Sequence, residues 1–487
     1  MLILSILLPV LLGLGILVKG ECKNRNTLLT VTGVGLVVTA ALAMGVVFGE
    51  EAELLLFSFG ENLDIYFHVD QLGKLFAVVV NLVWVLAGIY AFEYMKHEQE
   101  ESRFFGFYLM VHGTLNGLMF AGGMVTYYLF YELMSLLSVP LILHNRSKDA
   151  IKGGLKYLFY SLFGAYMVLF GIFFLNRFAD SLTFLPGGTL NLEAVAGNER
   201  LMLVVAFSMI LGFSVKAGMF PLHAWLPTAH PVAPAPASAV MSGIIVKMGV
   251  LGMIRSVYYL VGPDFIRGTW VQIAWMSLSL ITVFMGSMLA YREKVLKKRF
   301  AYSTVSQASY ILFGLSLLQS TAMTGALLHV VFHAVIKACL FLSAGTIIYK
   351  THKTMVADLR GIGKEMPIAM WCYTFAAAAL IGIPPASGFI SKWYLATGAL
   401  DSGIAVFSWL GPVVLLTSAL LTAGYLLPIT VNGFLPGADY DYGSLEKKEP
   451  NGTMLIPLMI LAALAVVLGL LPNPLTDYIA GIVSGLL

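Results

Sequence analysis

The chain is 487 residues long, 59% hydrophobic and 11% charged, with a mean hydropathy of +0.86. A soluble protein carries about 25% charged residues, so this much apolar surface needs a bilayer, and the expected class is an all-α polytopic membrane protein. A net charge of +3 is too small to point to nucleic acid, and Cys22, Cys339 and Cys372 lie too far apart for a C-x-x-C, which leaves iron–sulfur ligation, a zinc site and a disulfide framework without support. The three are expected to be reduced packing residues.

The first apolar run, Leu2 to Val18, has no basic segment before it and is followed by Lys19, Lys23 and Arg25, which fits an uncleaved helix with its N-terminus outside. Crossing a hydrocarbon core of about 30 Å takes about 20 residues. Runs of that order fall near 2–18, 27–48, 72–92, 105–122, 125–144, 155–176, 200–218, 236–260, 270–291, 302–319, 323–349, 367–399, 404–428 and 453–472. These make about fourteen spans, the twelfth interrupted by Gly382-Ile-Pro-Pro385, and the tail from Pro472 is too short for another.

Loop charges support the count. Loops after odd-numbered spans hold about nineteen basic residues, among them Arg292, Lys294, Lys297, Lys298 and Arg299, whereas loops after even-numbered spans hold about three. Glu50, Glu51, Glu53, Glu61 and Asp64 crowd the first even-numbered loop. The basic face should be cytoplasmic and both termini outside. Polar intervals reach only about two dozen residues, at Gly49–Gln71, Asn176–Arg200 and Thr430–Gly452, and leave no room for a soluble domain. The first two are amphipathic enough for a short outer hairpin, and the repeated prolines of Pro227–Pro236 predict a stiff extended connection between spans 7 and 8.

Lys216 precedes Pro221 on span 7, and Lys392 follows Pro384-Pro385 on span 12. A five-span offset makes the two segments antiparallel, the pattern of inverted repeats with discontinuous helices 7 and 12. The expected division is 1–104 (spans 1–3), 105–260 (first repeat, spans 4–8), 270–428 (second repeat, spans 9–13) and 453–487 (span 14 and tail).

Glu132, Lys216, Lys247, Lys337 and Lys392 lie inside these apolar spans. Left unrelieved they would cost on the order of 12–18 kcal/mol, so they must be paired, hydrated or neutral. Glu132 and Lys216, on separate spans, suit a pair that can close and part; the plainer alternative is a static ion pair. Lys247 is central in Ser242-Gly-Ile-Ile-Val-Lys-Met-Gly249, too many turns from either end to reach the interface easily. His329, His333 and Lys337 recur at i, i+4 and i+8 and form one stripe, continued around the turn by Ser343 and Thr346. Two histidines so spaced could bind a metal, but the carboxylate of a His-Glu-x-x-His site is lacking. Lys392 lies past the break as an exit-gate candidate, and Lys156, near a cytoplasmic helix end, suits a gate or an anchor equally. The chain has no G-x-G-x-x-G, no P-loop and no cysteine cluster, so no cofactor and no redox or hydrolytic chemistry of its own is expected.

Several long motifs resemble one family, the antiporter-like subunits of Mrp-type sodium/proton antiporters, respiratory complex I and membrane-bound hydrogenases. They are Phe130-Tyr-Glu132, Lys216-Ala-Gly-Met-Phe-Pro-Leu-His-Ala-Trp-Leu-Pro-Thr-Ala-His230, Lys298-Arg-Phe-Ala-Tyr-Ser303, His329 through Gly345, and Gly382-Ile-Pro-Pro-Ala-Ser-Gly-Phe-Ile-Ser-Lys392. The resemblance implies fourteen helices, two inverted five-helix repeats and a polar axis in the membrane plane. It further implies that Glu132 and Lys216 form a gating pair, Lys247 is the central relay, His329, His333 and Lys337 connect the second half, and Lys392 ends the path.

A lysine at position 392 resembles the D-type Mrp subunit and several complex I subunits. With a length that lacks a long lateral C-terminal helix, the favoured resemblance is to a D-type Mrp subunit or its hydrogenase-associated relative, with a proton-pumping subunit of a complex I-like oxidoreductase as the alternative. The expected partners are other membrane subunits, including homologous antiporter-like ones, with protons and sodium as the candidate cargo. Two alternatives remain from the residues themselves: a stand-alone solute carrier using the broken helix, and a structural subunit whose charges fix assembly.

Overall fold

The computed structural model describes residues 1–21, 24–50, 52–60, 62–438, 440–441 and 446–487. Cys22, Lys23, Glu51 and Glu61 lie outside the described residues. Apolar runs form helices because a backbone in lipid must satisfy its own hydrogen bonds. In chain order these are α1 (Leu2–Lys19), α2 (Arg25–Val47), α3 (Gln71–Tyr94), α4 (Glu101–Met119), α5 (Met124–Ile142), α6 (Lys148–Phe178) and α7a (Glu199–Ala217). Then come α7b (Leu226–Val232), α8 (Ala235–Val261), α9 (Trp270–Arg292), α10 (Leu296–Ser316) and α11 (Ser320–Thr351). The series ends with α12a (Pro367–Ile381), α12b (Ser387–Leu400), α13 (Phe407–Phe434), α14 (Gly452–Leu470) and α15 (Asn473–Ser484).

Eleven of these helices are long and apolar enough to cross a membrane. The remaining three of the fourteen expected spans have identifiable reasons for falling short. α4 and α10 are more polar, and α12 is divided into halves. α10 can be polar because its hydroxyls face inward: Ser306 donates to the Val283 carbonyl at 2.8 Å, and Thr304 and Ser242 pair at 2.6 Å.

The interval after α2 folds as the expected hairpin, β1 (Glu53–Ser58) antiparallel to β2 (Asp64–His68), with Glu53 opposite His68. The interval after α6 differs. It forms single bridges, Ala179 to Leu190 and Gly123 to Thr183, and a one-turn helix at Leu192–Val195.

The proline segment is also a correction. Most of it is helical: α7b carries Pro227 in its first turn and Pro231 near its end, and Pro236 falls in the first turn of α8. Prolines are tolerated where amide hydrogens have no helical partner, as at Pro227 and Pro236, and Pro231 forgoes a single bond near the end of a seven-residue helix. Only Ala233 and Pro234 run extended. α6 and α10 begin nearly two turns earlier than hydropathy marks them, because Lys148 and Lys297 extend the helices past their apolar cores.

α8 and α11 are buried along their whole apolar windows and form the centre. α1, α6 and α13 turn Leu11, Phe159, Phe173, Leu416 and Leu420 outward, as a lipid boundary requires. Successive contacts repeat with a five-helix offset: α4–α5, α5–α6, α6–α7a and α7a–α8 are echoed by α9–α10, α10–α11, α11–α12a and α12a–α13. The breaks correspond as well, since α7a ends at Gly218 (φ 80°) and α12a at Gly382 (φ 93°), both in the left-handed conformation that glycine adopts freely.

Candidate functional site

Lys216 is the penultimate residue of α7a and is completely buried. Its Nζ donates to Tyr157 Oη and Ser161 Oγ of α6, each at 2.8 Å, and lies 4.1 Å from the Tyr157 ring centroid and 5.7 Å from that of Tyr131. Tyr157 and Ser161 meet it together because i and i+4 share a helix face.

Glu132, on α5, is half-buried beside the outward-facing Leu129, Leu133 and Leu136, and its Oε1 has no hydrogen-bond partner among the described residues. The charges of Glu132 and Lys216 act on one another, yet no contact within ion-pair distance joins them. The static ion pair is therefore absent, and hydroxyls occupy the lysine.

Lys247 lies just past a π-helical turn at Met241–Ile245. Widening the helix to i→i+5 turns the Ser242 carbonyl toward the lysine, whose Nζ donates to it at 2.7 Å. The break expected in helices 7 and 12 thus has a milder third form in α8, the last helix of the expected first half.

On α11 the stripe is present. The His329 and His333 rings stack at 5.6 Å, Tyr310 stacks on His329 at 5.6 Å, and His329 Nδ1 is hydrogen-bonded to Ser391 Oγ at 2.9 Å. Lys337 Nζ donates to the Phe300 carbonyl at 3.1 Å. Lys247 is within electrostatic reach of both histidines and of Lys337. The stripe stops there, because Ser343 bonds to its own helix at the Cys339 carbonyl and Thr346 pairs with Tyr90 at 3.0 Å.

Lys392 reaches back from α12b to the exposed end of α12a and donates to the carbonyls of Leu380 (2.6 Å) and Ile381 (2.9 Å). A helix C-terminus favours a cation there. Its Nζ is 5.3 Å from the Tyr310 ring centroid, much as Lys216 stands to Tyr131 five helices earlier. Lys156 Nζ donates to Thr228 Oγ1 of α7b at 3.2 Å, which ties it to the broken segment.

Sequence reasoning missed two buried polar residues beside this row. Gln307 of α10 has both amide atoms unpartnered within the described residues, and His230 has both ring nitrogens so, its ring stacked 4.8 Å from Phe341. His230 lies within the charge of both Lys297 and Lys337. The signal for Gln307 was the polar run Ser303-Thr-Val-Ser-Gln307 in a spanning helix, and for His230 a histidine among prolines. Neither has a charge to draw attention. Cys339 and Cys372 are buried and free, and no group of three or more His, Cys, Asp or Glu side chains suited to a metal occurs among the described residues.

Amines and imidazoles carried on α7a, α8, α11 and α12b inside a bundle of apolar helices are not the architecture of a soluble enzyme grafted to a membrane. The arrangement is that of an ion-conducting membrane subunit. The family profile described as NADH:quinone oxidoreductase/Mrp antiporter, TM, matches residues 121–422, and the chain belongs to that family. A second profile, the N-terminus of complex I chain 5, matches residues 57–105.

Among relatives, the N subunit of the NADH-quinone oxidoreductase of Desulforudis audaxviator is 32% identical over 82% of this chain and 81% of its own length. The D-type subunit of the Na(+)/H(+) antiporter of Alkalihalophilus pseudofirmus is 26% identical over 98% of this chain and 95% of its own. A chain of the Mrp complex from Dietzia sp. DQ12-45-1b shares the fold, with a TM-score of 0.85 at 21% identity, over 100% of this chain and 97% of that one.

Proposed function

We propose that this chain moves protons along the row Glu132, Lys216, Lys247, His329, His333, Lys337, Lys392 as one subunit of a multisubunit membrane complex. One observation carries the reading: Lys216, Lys247, Lys337 and Lys392 are seated on hydroxyls or backbone carbonyls, with no carboxylate within ion-pair distance among the described residues. A structural charge lattice would pair them. Neighbouring buried amines repel when all are charged, so charge added at one end favours release further on.

Moving a charge against about 150 mV costs roughly 3.5 kcal/mol, within what the making and breaking of buried charge contacts can supply. Glu132 is the switch: closing on Lys216 holds its proton, and parting sends it toward Lys247. The unpartnered atoms of Gln307 and His333 are those a chain of water molecules would bridge. The protein's own groups suffice for this chemistry, and no cofactor enters the reading.

The matched breaks and contacts support the division into 1–104, two inverted halves at 105–260 and 270–428, and 453–487. The basic loops support a cell-membrane orientation with both termini outside. Similarity to a D-type antiporter chain over nearly the full length favours an Mrp-type or hydrogenase-related host, and similarity to an oxidoreductase N chain leaves a complex I-like host as the alternative. Sodium is a candidate second cargo. Glu132 at a lipid-facing surface supports a neighbouring subunit covering α5.

Lys216→Ala in the intact complex, reconstituted into vesicles, should reduce proton transport at least tenfold with subunit composition unchanged. Normal transport would refute the relay. Activity of the isolated chain would favour a solute carrier, and loss of assembly on Lys392→Ala without a transport defect would favour a structural role.

A further inference from the structure

A groove of about 350 Å³ runs along the lipid side of the central helix α11, away from the relay residues. Its mouth lies at the N-terminal end of α3, where Gln71, Lys74 and Tyr478 of α15 meet. Its walls are apolar: Val78 and Leu82 of α3 on one side, Leu464 and Leu468 of α14 on the other, with Val331 and Val335 of α11 as the floor. Val78 and Leu82 are more than a third exposed, so the groove opens toward the bilayer, whereas the floor residues are buried.

We propose that this groove binds one phospholipid, its acyl chain lying against α11 and its phosphate at Lys74. Dimensions choose the occupant. Lys74 and Leu82 are eight residues apart on one helix, about 12 Å at 1.5 Å per residue, close to the roughly 15 Å between headgroup and bilayer midplane. At about 350 Å³ the groove suits a single hydrocarbon chain of that length lying against its apolar walls.

Chemistry chooses the headgroup. Among the described residues Lys74 Nζ has a single weak partner, the Gly49 carbonyl at 3.5 Å. Tyr478 Oη, which donates to Gln71, adds a polar group at the same level. The acyl chain backs the α11 segment whose far face carries His329 and His333, so it excludes water from the lipid side of that helix. This proposal is independent of the transport reading, because its test does not measure transport.

The intact complex is reconstituted in phosphatidylethanolamine vesicles with a trace of phosphatidylglycerol bearing a diazirine near the acyl-chain end, then irradiated and mapped by peptide mass spectrometry. Adducts are expected on the α11 peptide containing Val331 and Val335. They should fall at least fivefold in Leu464→Trp, which fills the groove, and in the surface variant Lys74→Glu, which repels the phosphate. Absence of adducts from that peptide, or labelling unchanged in either variant, would overturn the proposal.

Discussion

The four buried lysines differ in what holds them, and the difference has consequences. Lys216 rests on side-chain hydroxyls, whereas Lys247, Lys337 and Lys392 rest on main-chain carbonyls. A mutational scan should therefore find Tyr157 and Ser161 as modifiers of Lys216: removing both hydroxyls is expected to slow proton transport about tenfold while the protein still assembles. No equivalent side-chain modifiers should emerge around the other three.

Outside the membrane, Glu293 in the α9–α10 loop shows a simpler balance. Burial pushes its carboxyl up, but the Lys298 ammonium at 2.8 Å and the Lys294 and Val295 amides outweigh it and hold the acid below its ordinary value. Its stabilising contribution is present above about pH 4.3 and is lost as pH falls through the lower folded value. Partial exposure keeps this below about 1 kcal/mol. Thermal unfolding of Glu293→Gln should lose that part of the acid sensitivity between about pH 5 and 3. The charged residues of the row were legible because charge in an apolar run is anomalous. Gln307 and His230 were not, since a neutral polar side chain in a helix is usually satisfied by its own backbone.

At the scale of elements, interruptions position the site. Pro384 and Pro385 end the α12a ladder so that the Leu380 and Ile381 carbonyls remain for Lys392. Replacing both prolines by alanine should let the helix run through and remove that seat; proton transport is expected to fall at least tenfold with assembly retained, measured in the same vesicles. Gly382→Ala is the milder test. The new Cβ would sit 3.2 Å from the Lys392 side chain at φ +93°, and a stability loss of about 1–2 kcal/mol is expected by thermal unfolding. Both breaks could be read from glycine and proline. The π turn before Lys247 could not, because Met241-Ser-Gly-Ile-Ile245 has no residue that forbids an α-helix, and the widening depends on neighbouring helices. The helical course of α7b was misread for the opposite reason: proline signals weigh against helices in general, but not in their first turn.

Across the whole molecule, one buried pair joins distant parts. Asp70 caps α3 by accepting from the Gly73 amide at 2.8 Å and accepts from Arg255 Nη2 of α8 at 2.7 Å, while the guanidinium lies 4.8 Å from the Phe184 ring centroid. Asp70→Asn leaves a buried guanidinium underpaired and should cost about 3 kcal/mol, read as a lower Tm of the purified complex. The fourteen expected helices were legible from hydropathy, since it records where water ends. Which helices are central was not: α8 and α11 are no more apolar than α6, and only packing distinguishes them. The hydrogen bond from Tyr478 to Gln71 spans 407 positions. A chain made from its N-terminus offers α3 to the bilayer long before α15 exists, so this flank of α11 is clasped only once α15 has been made. Until then the central helix stands beside its neighbours with one side unlatched, and a nascent chain stalled before α15 should be the form most open to capture by proteases or insertion factors.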